Sequence, residues 1–243
     1  MQATFRSSSW NLWMPDGWSR SVRTLSHQEA RRVYDRIGAK QDTQAFYEDV
    51  ATRELILHGD FSSAAAVFEF GCGTGRFART LLADRLGPTA IYRGIDLSPT
   101  MVGLAERRLA EFGERARVVL TDGVAPSSEP PAFFDRFVSN FVFDLLSEAD
   151  IAAVVSEAHR MLRPGGLLCL ASLSPGHGVV SRAVIRVWSF LHRLDPRLVA
   201  GCRPIALLAF LEEGRWKVRD RQTLAPFGLL SGAVVAERLA AVV

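Results

Sequence analysis

Apolar residues along this chain change their period several times, and each change marks an element. From residue 66 onward, short apolar runs alternate with stretches whose apolar positions recur three and four apart. The runs 66–70, 90–95, 117–121, 134–139 and 167–173 read as strands. A helix pattern runs from Arg76 to about Leu86. A second starts at Ser98-Pro99, a cap followed by a first-turn proline, and continues to about Phe112. A third starts at the capping-box sequence Ser147-Glu148-Ala149-Asp150 and continues to Leu162. The proline-rich stretch 125–131 replaces a further crossover helix, and Pro164-Gly165-Gly166 turns the chain into the fifth strand. Such alternation predicts parallel strands with helices on both faces.

Beyond residue 173 the alternation lapses. Residues 179–194 predict an inserted helix, ended by Asp195-Pro196, and 204–211 predict another. Residues 216–223 and 230–237 read as two closing strands. Before residue 66, helix patterns fit 26–37 and 44–57. The expected organisation is an N-terminal arm with helices covering the site (1–65), an α/β core (66–173), and a helical lid insertion with closing strands (174–243), all within one domain.

Composition narrows the class. The chain has 243 residues, 48% hydrophobic and 23% charged, which suits a globular domain with a substantial core. No apolar run reaches the ~20 residues that a membrane-spanning helix needs. Cys72, Cys169 and Cys202 are odd in number and widely spaced. They argue against a disulfide framework and against a CxxC-type zinc site, and they fit a reducing, cytoplasmic compartment; no metal is expected. The first 32 residues are rich in serine and arginine, hold Trp10, Trp13 and Trp18, and lack a secretory apolar segment. A mitochondrial leader stays open, although Pro15, Asp16 and the tryptophans suit it poorly. An arm folding over the domain is the preferred reading.

The net charge of +3 is unevenly placed: residues 66–173 carry 11 basic and 13 acidic groups, whereas 174–243 carry ten and five. This basic excess is too weak for nucleic-acid binding, and no nucleic-acid partner is expected. It suits an anionic surface or an acidic substrate.

The candidate chemistry centres on Val67-Phe68-Glu69-Phe70-Gly71-Cys72-Gly73-Thr74-Gly75. An apolar strand enters a loop with glycine at every second position, where the backbone can approach a ligand. A dinucleotide fingerprint would be G-x-G-x-x-G, and Arg76 occupies the place of its third glycine. The second strand ends at Asp96, 21 residues beyond Gly75, where a carboxylate can accept both hydroxyls of a ribose. These features alone leave nicotinamide and adenosylmethionine cofactors open.

Three further segments, with the glycine loop, resemble the class I methyltransferases that use S-adenosyl-L-methionine, a superfamily that includes ubiquinone and menaquinone biosynthesis enzymes. They are Ile95-Asp96-Leu97-Ser98-Pro99 with Met101, then Val119-Leu120-Thr121-Asp122-Gly123, then Leu162-Arg163-Pro164-Gly165-Gly166-Leu167. The resemblance covers about residues 66–173. It implies a Rossmann-like three-layer α/β sandwich whose mostly parallel seven-stranded sheet has an antiparallel closing strand. It implies S-adenosyl-L-methionine as cofactor and methyl transfer to a small acceptor. By likeness, Leu97 and Met101 wall the adenine, Asp122 accepts from its amino group and Gly123 lies beside it. Glu69 orients the loop, and Gly71, Cys72, Gly73 and Gly75 form it. Asn140 and Phe141 flank the methionine part, and Tyr34 covers the cofactor.

Methyl transfer needs alignment and exclusion of water more than it needs a catalytic side chain. The candidates for a base are His177, in the loop after strand five, and Asp144, after strand four. On the acceptor side, Arg182, Arg186, Arg193 and Arg197 fall near one helical face and Val184, Trp188 and Leu191 on another. The segment 181–203 reads as a lid over the site, compatible with peripheral contact to an anionic membrane. A lipophilic, lipid- or quinone-like acceptor fits that character. A non-catalytic cofactor-binding scaffold is the alternative. A nicotinamide-dependent oxidoreductase is disfavoured by the glycine spacing.

Overall fold

The computed structural model describes residues 24–124, 128–175, 179–225 and 230–240. The strands are β1 (Ala66–Phe70), β2 (Ile91–Asp96), β3 (Ala116–Leu120), β4 (Phe134–Asn140), β5 (Leu162–Leu173), β6 (Trp216–Leu224) and β7 (Ser231–Arg238). They form one seven-stranded sheet in the order β3-β2-β1-β4-β5-β7-β6. Pairings among β1 to β5 are parallel, and β7 runs antiparallel to both β5 and β6.

The helices are α1 (His27–Ile37), α2 (Ala45–His58), α3 (Arg76–Asp84), α4 (Pro99–Leu109), α5 (Glu148–Met161) and α6 (Val179–Leu194). Side chains alternate along each strand, so the sheet feeds two cores. Val67, Tyr92, Val138, Cys169, Ala171, Ala233 and Val235 pack with α2, α3 and α4. Ala66, Phe68, Phe70, Phe137, Leu168, Leu170, Val234 and Ala236 pack with α5. This is the three-layer arrangement expected from the alternating pattern.

The caps explain where the helices start. Ser26 and Glu29 bond reciprocally at the head of α1, and Ser98 and Ser147 accept from Met101 N and Asp150 N. Three expectations change. Pro164-Gly165-Gly166 lies inside β5, where the register against β4 shifts between Phe134 and Arg136; the three residues form an irregularity in the strand instead of a turn before it. Residues 204–211 contain only the single 3₁₀ turn Leu207–Phe210, buried against α5 at Leu207. The helix after Ser98 is α-helical only to Leu109; it tightens into 3₁₀ geometry from Ala110 and is broken at Gly113, whose φ is 54°.

One buried cation ties the sheet to the end of α2. Arg136, 5% exposed on β4, donates to the carbonyls of Gly59 and Asp60 and to Ser63 Oγ at 2.8 Å. Its removal leaves buried carbonyls without donors. Arg136→Met is expected to cost about 3 kcal/mol in urea unfolding, with cofactor affinity unchanged in the remaining folded protein.

Candidate functional site

The glycine loop is held at the carboxyl ends of β1 and β2. Gly71 N and Cys72 N donate to Ile95 O at 2.8 and 3.0 Å. Gly73 N donates to Asp96 Oδ2 at 2.9 Å, and Ser98 N to Asp96 Oδ1 at 2.9 Å. Asp96 therefore fastens the loop and the start of α4 together. Each of its oxygens keeps lone-pair capacity for a further donor. Burial raises its pKa, opposed by the bonds from Ser98, Gly73 and Leu97.

The glycines serve different ends. Gly71, Gly73 and Gly75 all have positive φ, of 74°, 54° and 75°. A Cβ at Gly71 would strike Val142, and one at Gly75 would meet Ala105 Cα of α4 at 3.0 Å. A Cβ at Gly73 would meet nothing within 4 Å. Gly73 alone of the three opens onto free space, and that space is the cavity.

The cavity, of about 260 Å³, is walled by ten residues singled out from sequence: Tyr34, Glu69, Gly71, Cys72, Gly73, Asp96, Leu97, Met101, Asn140 and Phe141. A slit of about 40 Å³ adjoins it, sharing Gly71, Asp96, Leu97, Val142 and Leu145, and reaching Thr121 and Gly123. His27 of α1 narrows the slit: its Cγ lies 3.1 Å from where a Cβ of Gly123 would stand.

Glu69 does not bond the loop. It is fully buried and accepts from Tyr92 Oη at 2.6 Å and from Asn140 Nδ2 at 3.1 Å. Tyr92 reaches it across Gly94, where a Cβ would stand 2.7 Å from the hydroxyl. Glu69 thus orients Asn140, a residue of the cavity wall whose buried Oδ1 has no hydrogen-bond partner among the described residues. Burial pushes the Glu69 carboxyl up to about 7. Phe141, also on the wall, holds a left-handed φ of 54°, a backbone strain of the kind found at ligand sites.

Three expected site residues stand off both linings. Gly75 packs α3 against α4 and lines neither the cavity nor the slit; its missing Cβ makes room for Ala105. Asp122 is exposed and accepts from Val124 N at 3.2 Å in its own turn; its neighbours Thr121 and Gly123 line the slit, but it does not. Asp144 is fully buried behind the wall, in the 3₁₀ turn Phe143–Leu145. Its two oxygens have no hydrogen-bond partner in good geometry among the described residues. Burial lifts its pKa to about 7, with Glu48 nearby adding to the rise and Arg203 opposing it. His177 lies outside the described residues.

Sequence reasoning missed the polar residues that roof the cavity. Glu48 and Asp49 of α2 pair with Arg76, the first residue of α3. Glu48 also accepts from Gln41 Nε2 at 3.1 Å. Burial raises Glu48 to about 7 even against the Arg76 charge. Asp42 accepts from Thr74 Oγ1 and Arg108 Nη2, both at 2.6 Å. Burial would raise Asp42, but these two donors outweigh it and hold the carboxyl low. The only signal in the sequence was Arg76 itself, standing in place of a glycine.

A glycine loop opening on a cavity, an acid at the end of β2 and an adjoining slit toward the β3 loop define a site for a nucleoside-bearing cofactor. The walls fit S-adenosylmethionine. Asp96 has lone pairs free for ribose hydroxyls, Asn140 Oδ1 lacks a donor, and Gly73 leaves room for the ligand.

Comparison with known proteins names the family. Residues 67–166 match the family described as Methyltransferase domain. The chain is 37% identical over 120 residues to a carboxy-S-adenosyl-L-methionine synthase of Chromohalobacter salexigens, covering 48% of this chain and 43% of that protein. It is 30% identical over 177 residues to nocamycin O-methyltransferase of Saccharothrix syringae, covering 71% and 61%. It is 27% identical over 191 residues to a demethylmenaquinone methyltransferase of Symbiobacterium thermophilum, covering 75% and 74%. The chain spans less than two thirds of the length of each of the first two. In fold it is similar to the S-adenosylmethionine-dependent methyltransferase SibL, with a TM-score of 0.58 and 20% identity over 83% of this chain and 58% of that one. Residues 67–166 thus carry a methyltransferase domain, set in a chain whose fold is similar to that of S-adenosylmethionine-dependent methyltransferases.

The buried Asp144 makes stability depend on pH. A carboxyl raised to about 7 in the fold favours the folded state while it is protonated there, and that contribution is lost as pH rises from about 4 through about 7. Asp144→Asn is expected to raise Tm by several degrees at pH 8 and to change it little at pH 4.5, as read by thermal scans at both values.

Proposed function

We propose that the protein transfers the methyl group of S-adenosylmethionine to a small, lipophilic acceptor. The observation that carries this reading is the cavity at Gly73, where an unobstructed backbone approach, Asp96 and Asn140 line the same space. The cofactor, when bound, supplies a methyl group made electrophilic by its sulfonium. The residues of the chain have three tasks around it. Asp96 holds the ribose hydroxyls and, through Gly73 N, keeps the loop in register with them. Glu69 fixes the rotamer of Asn140, so that this part of the cavity wall is ordered before any ligand arrives. The roof from Gln41 to Ile56, with Phe77 and Leu145, excludes water from the reacting atoms.

A proton acceptor is needed only where the nucleophile arrives protonated. Among the cavity walls, Glu48 combines a fixed carboxylate with a proton affinity near neutrality. We assign it the proton of the acceptor, in preference to the buried Asp144. A lipophilic acceptor is supported by the likeness to demethylmenaquinone methyltransferases and by Ile56, Phe77, Phe141, Val142 and Leu145 on the walls.

Calorimetric titration tests the cofactor assignment. S-adenosylhomocysteine is expected to bind with micromolar affinity while NAD does not, and Asp96→Ala is expected to weaken binding at least ~100-fold, since each lost charge-assisted bond is worth about 1.5–3 kcal/mol. Retained binding in Asp96→Ala sinks the site assignment. Binding without any turnover on incubation of methyl-labelled cofactor with fractionated extracts leaves a cofactor-binding scaffold as the better reading.

The acceptor assignment has its own readout. Label is expected in the lipid-soluble fraction, with a rate that rises with pH through about 7 as Glu48 loses its proton. In Glu48→Gln that limb disappears and the rate falls ~100-fold, within the range for loss of a general base. An unchanged pH profile removes Glu48 from the role.

A further inference from the structure

Helix α6 presents an apolar row to the outside. Val187, Phe190, Leu191 and Leu194 are 61%, 60%, 36% and 62% exposed. Their spacing of i, i+3, i+4 and i+7 puts them on a single face. At about 100° per residue, the exposed Arg186 and Arg193 share one flank of that row. From Val179 to Leu194 the helix contains no aspartate or glutamate.

The other face of α6 leads to the cavity. His192 is buried at 3% exposure, and Trp188 Nε1 donates to Cys202 O at 2.8 Å. The Cys202 thiol receives the Tyr34 hydroxyl, and Tyr34 lines the cavity. The exposed row and the cavity wall are thus separated by one helix and the residues packed beneath it.

Charge selects the occupant. A second copy of the chain would set arginines against arginines. The segment 1–23, with Arg6, Arg20 and Arg23 against Asp16, is itself basic. An anionic, laterally extended apolar surface complements both features of the helix at once. We infer that α6 docks on an anionic lipid bilayer, with Val187, Phe190, Leu191 and Leu194 inserted at the headgroup boundary and Arg186 and Arg193 at the phosphates. The inference rests on the lipophilic-acceptor reading for its purpose, which is to place the cavity where such an acceptor is dissolved. The surface itself does not depend on that reading.

Co-sedimentation of the full chain with vesicles tests it. Vesicles of phosphatidylcholine and phosphatidylglycerol in equal parts are expected to bind the protein at least ~10-fold more tightly than phosphatidylcholine alone, and salt is expected to abolish the difference. The double variant Val187→Asp, Phe190→Asp is expected to lose vesicle binding while keeping the wild-type affinity for S-adenosylhomocysteine, which shows that it is folded. Leu57→Asp, a change at an exposed leucine on α2, is expected to bind vesicles normally. Equal binding to neutral vesicles, or a double variant that still binds, overturns the inference. So does sedimentation velocity showing a dimer that the double variant dissolves, or capture by an acidic carrier protein without vesicle binding. Vesicle binding without S-adenosylhomocysteine binding defeats the cofactor assignment and leaves the membrane surface standing; the reverse defeats the membrane surface alone.

Discussion

The site depends on a single buried carboxylate. Asp96 ends β2, accepts from the glycine loop through Gly73 N and from the start of α4 through Ser98 N, and still faces the cavity. Without it, two segments far apart in sequence would lack a common reference. Its cost is the desolvation of a charge at 7% exposure. That cost is offset by backbone N–H groups at fixed distances, which cost little entropy because the chain is already ordered there. The same carboxylate therefore does structural work before it does any binding.

Around Asp96 the site gathers more acid than a folded core ordinarily tolerates. Glu48, Glu69 and Asp144 are each pushed by burial to about 7. Their neighbours differ, and so do their roles. Glu69 has two donors and acts on Asn140. Glu48 has Gln41 and Arg76 and reaches the cavity. Asp144 has no donor in good geometry and does not reach it. A cluster that sits close to its protonation midpoint near neutral pH can hold or release a proton with little change of free energy. That property is useful beside a cationic cofactor and costly for stability, a compromise common at functional sites.

Much of the cofactor half was legible in the sequence, because backbone geometry determines it. Glycine at positive φ, a strand ending in an acid and a serine-capped helix each leave a local trace, and Gly73, Asp96 and Ser98 were found where the pattern put them. Gly75 and Asp122 were misplaced for one reason. A motif marks where the chain turns, but whether the turn faces the ligand or a neighbouring helix is decided by packing. The roof was illegible. Glu48, Asp49 and Asp42 look like ordinary surface acids on a helix and its leading turn, and only the fold brings them to Arg76, Thr74 and Arg108. The pattern at 204–211 misled similarly, since apolar spacing at helical intervals is equally satisfied by one 3₁₀ turn pressed against α5.

The way the roof is fastened bears on how a ligand enters. The N-terminal segment is tied to the core through Asp35 to Ser98 Oγ at 2.6 Å, Asp42 to Thr74 and Arg108, and Glu48 and Asp49 to Arg76. The half-exposed pairs Asp42–Arg108 and Asp49–Arg76 contribute at most about 1 kcal/mol each, whereas α2 is also held by Ala51 and Leu55 in the apolar core and α1 has no such anchor among the described core residues. The sheet beneath is held by two continuous apolar cores. The slit beside Gly123 is narrowed by His27, which belongs to α1. Opening α1 therefore breaks few strong contacts and leaves Asp96 and the glycine loop in place. Entry of the cofactor and rigidity of its cradle are assigned to different parts of the chain, and the difference in how those parts are held makes the two compatible.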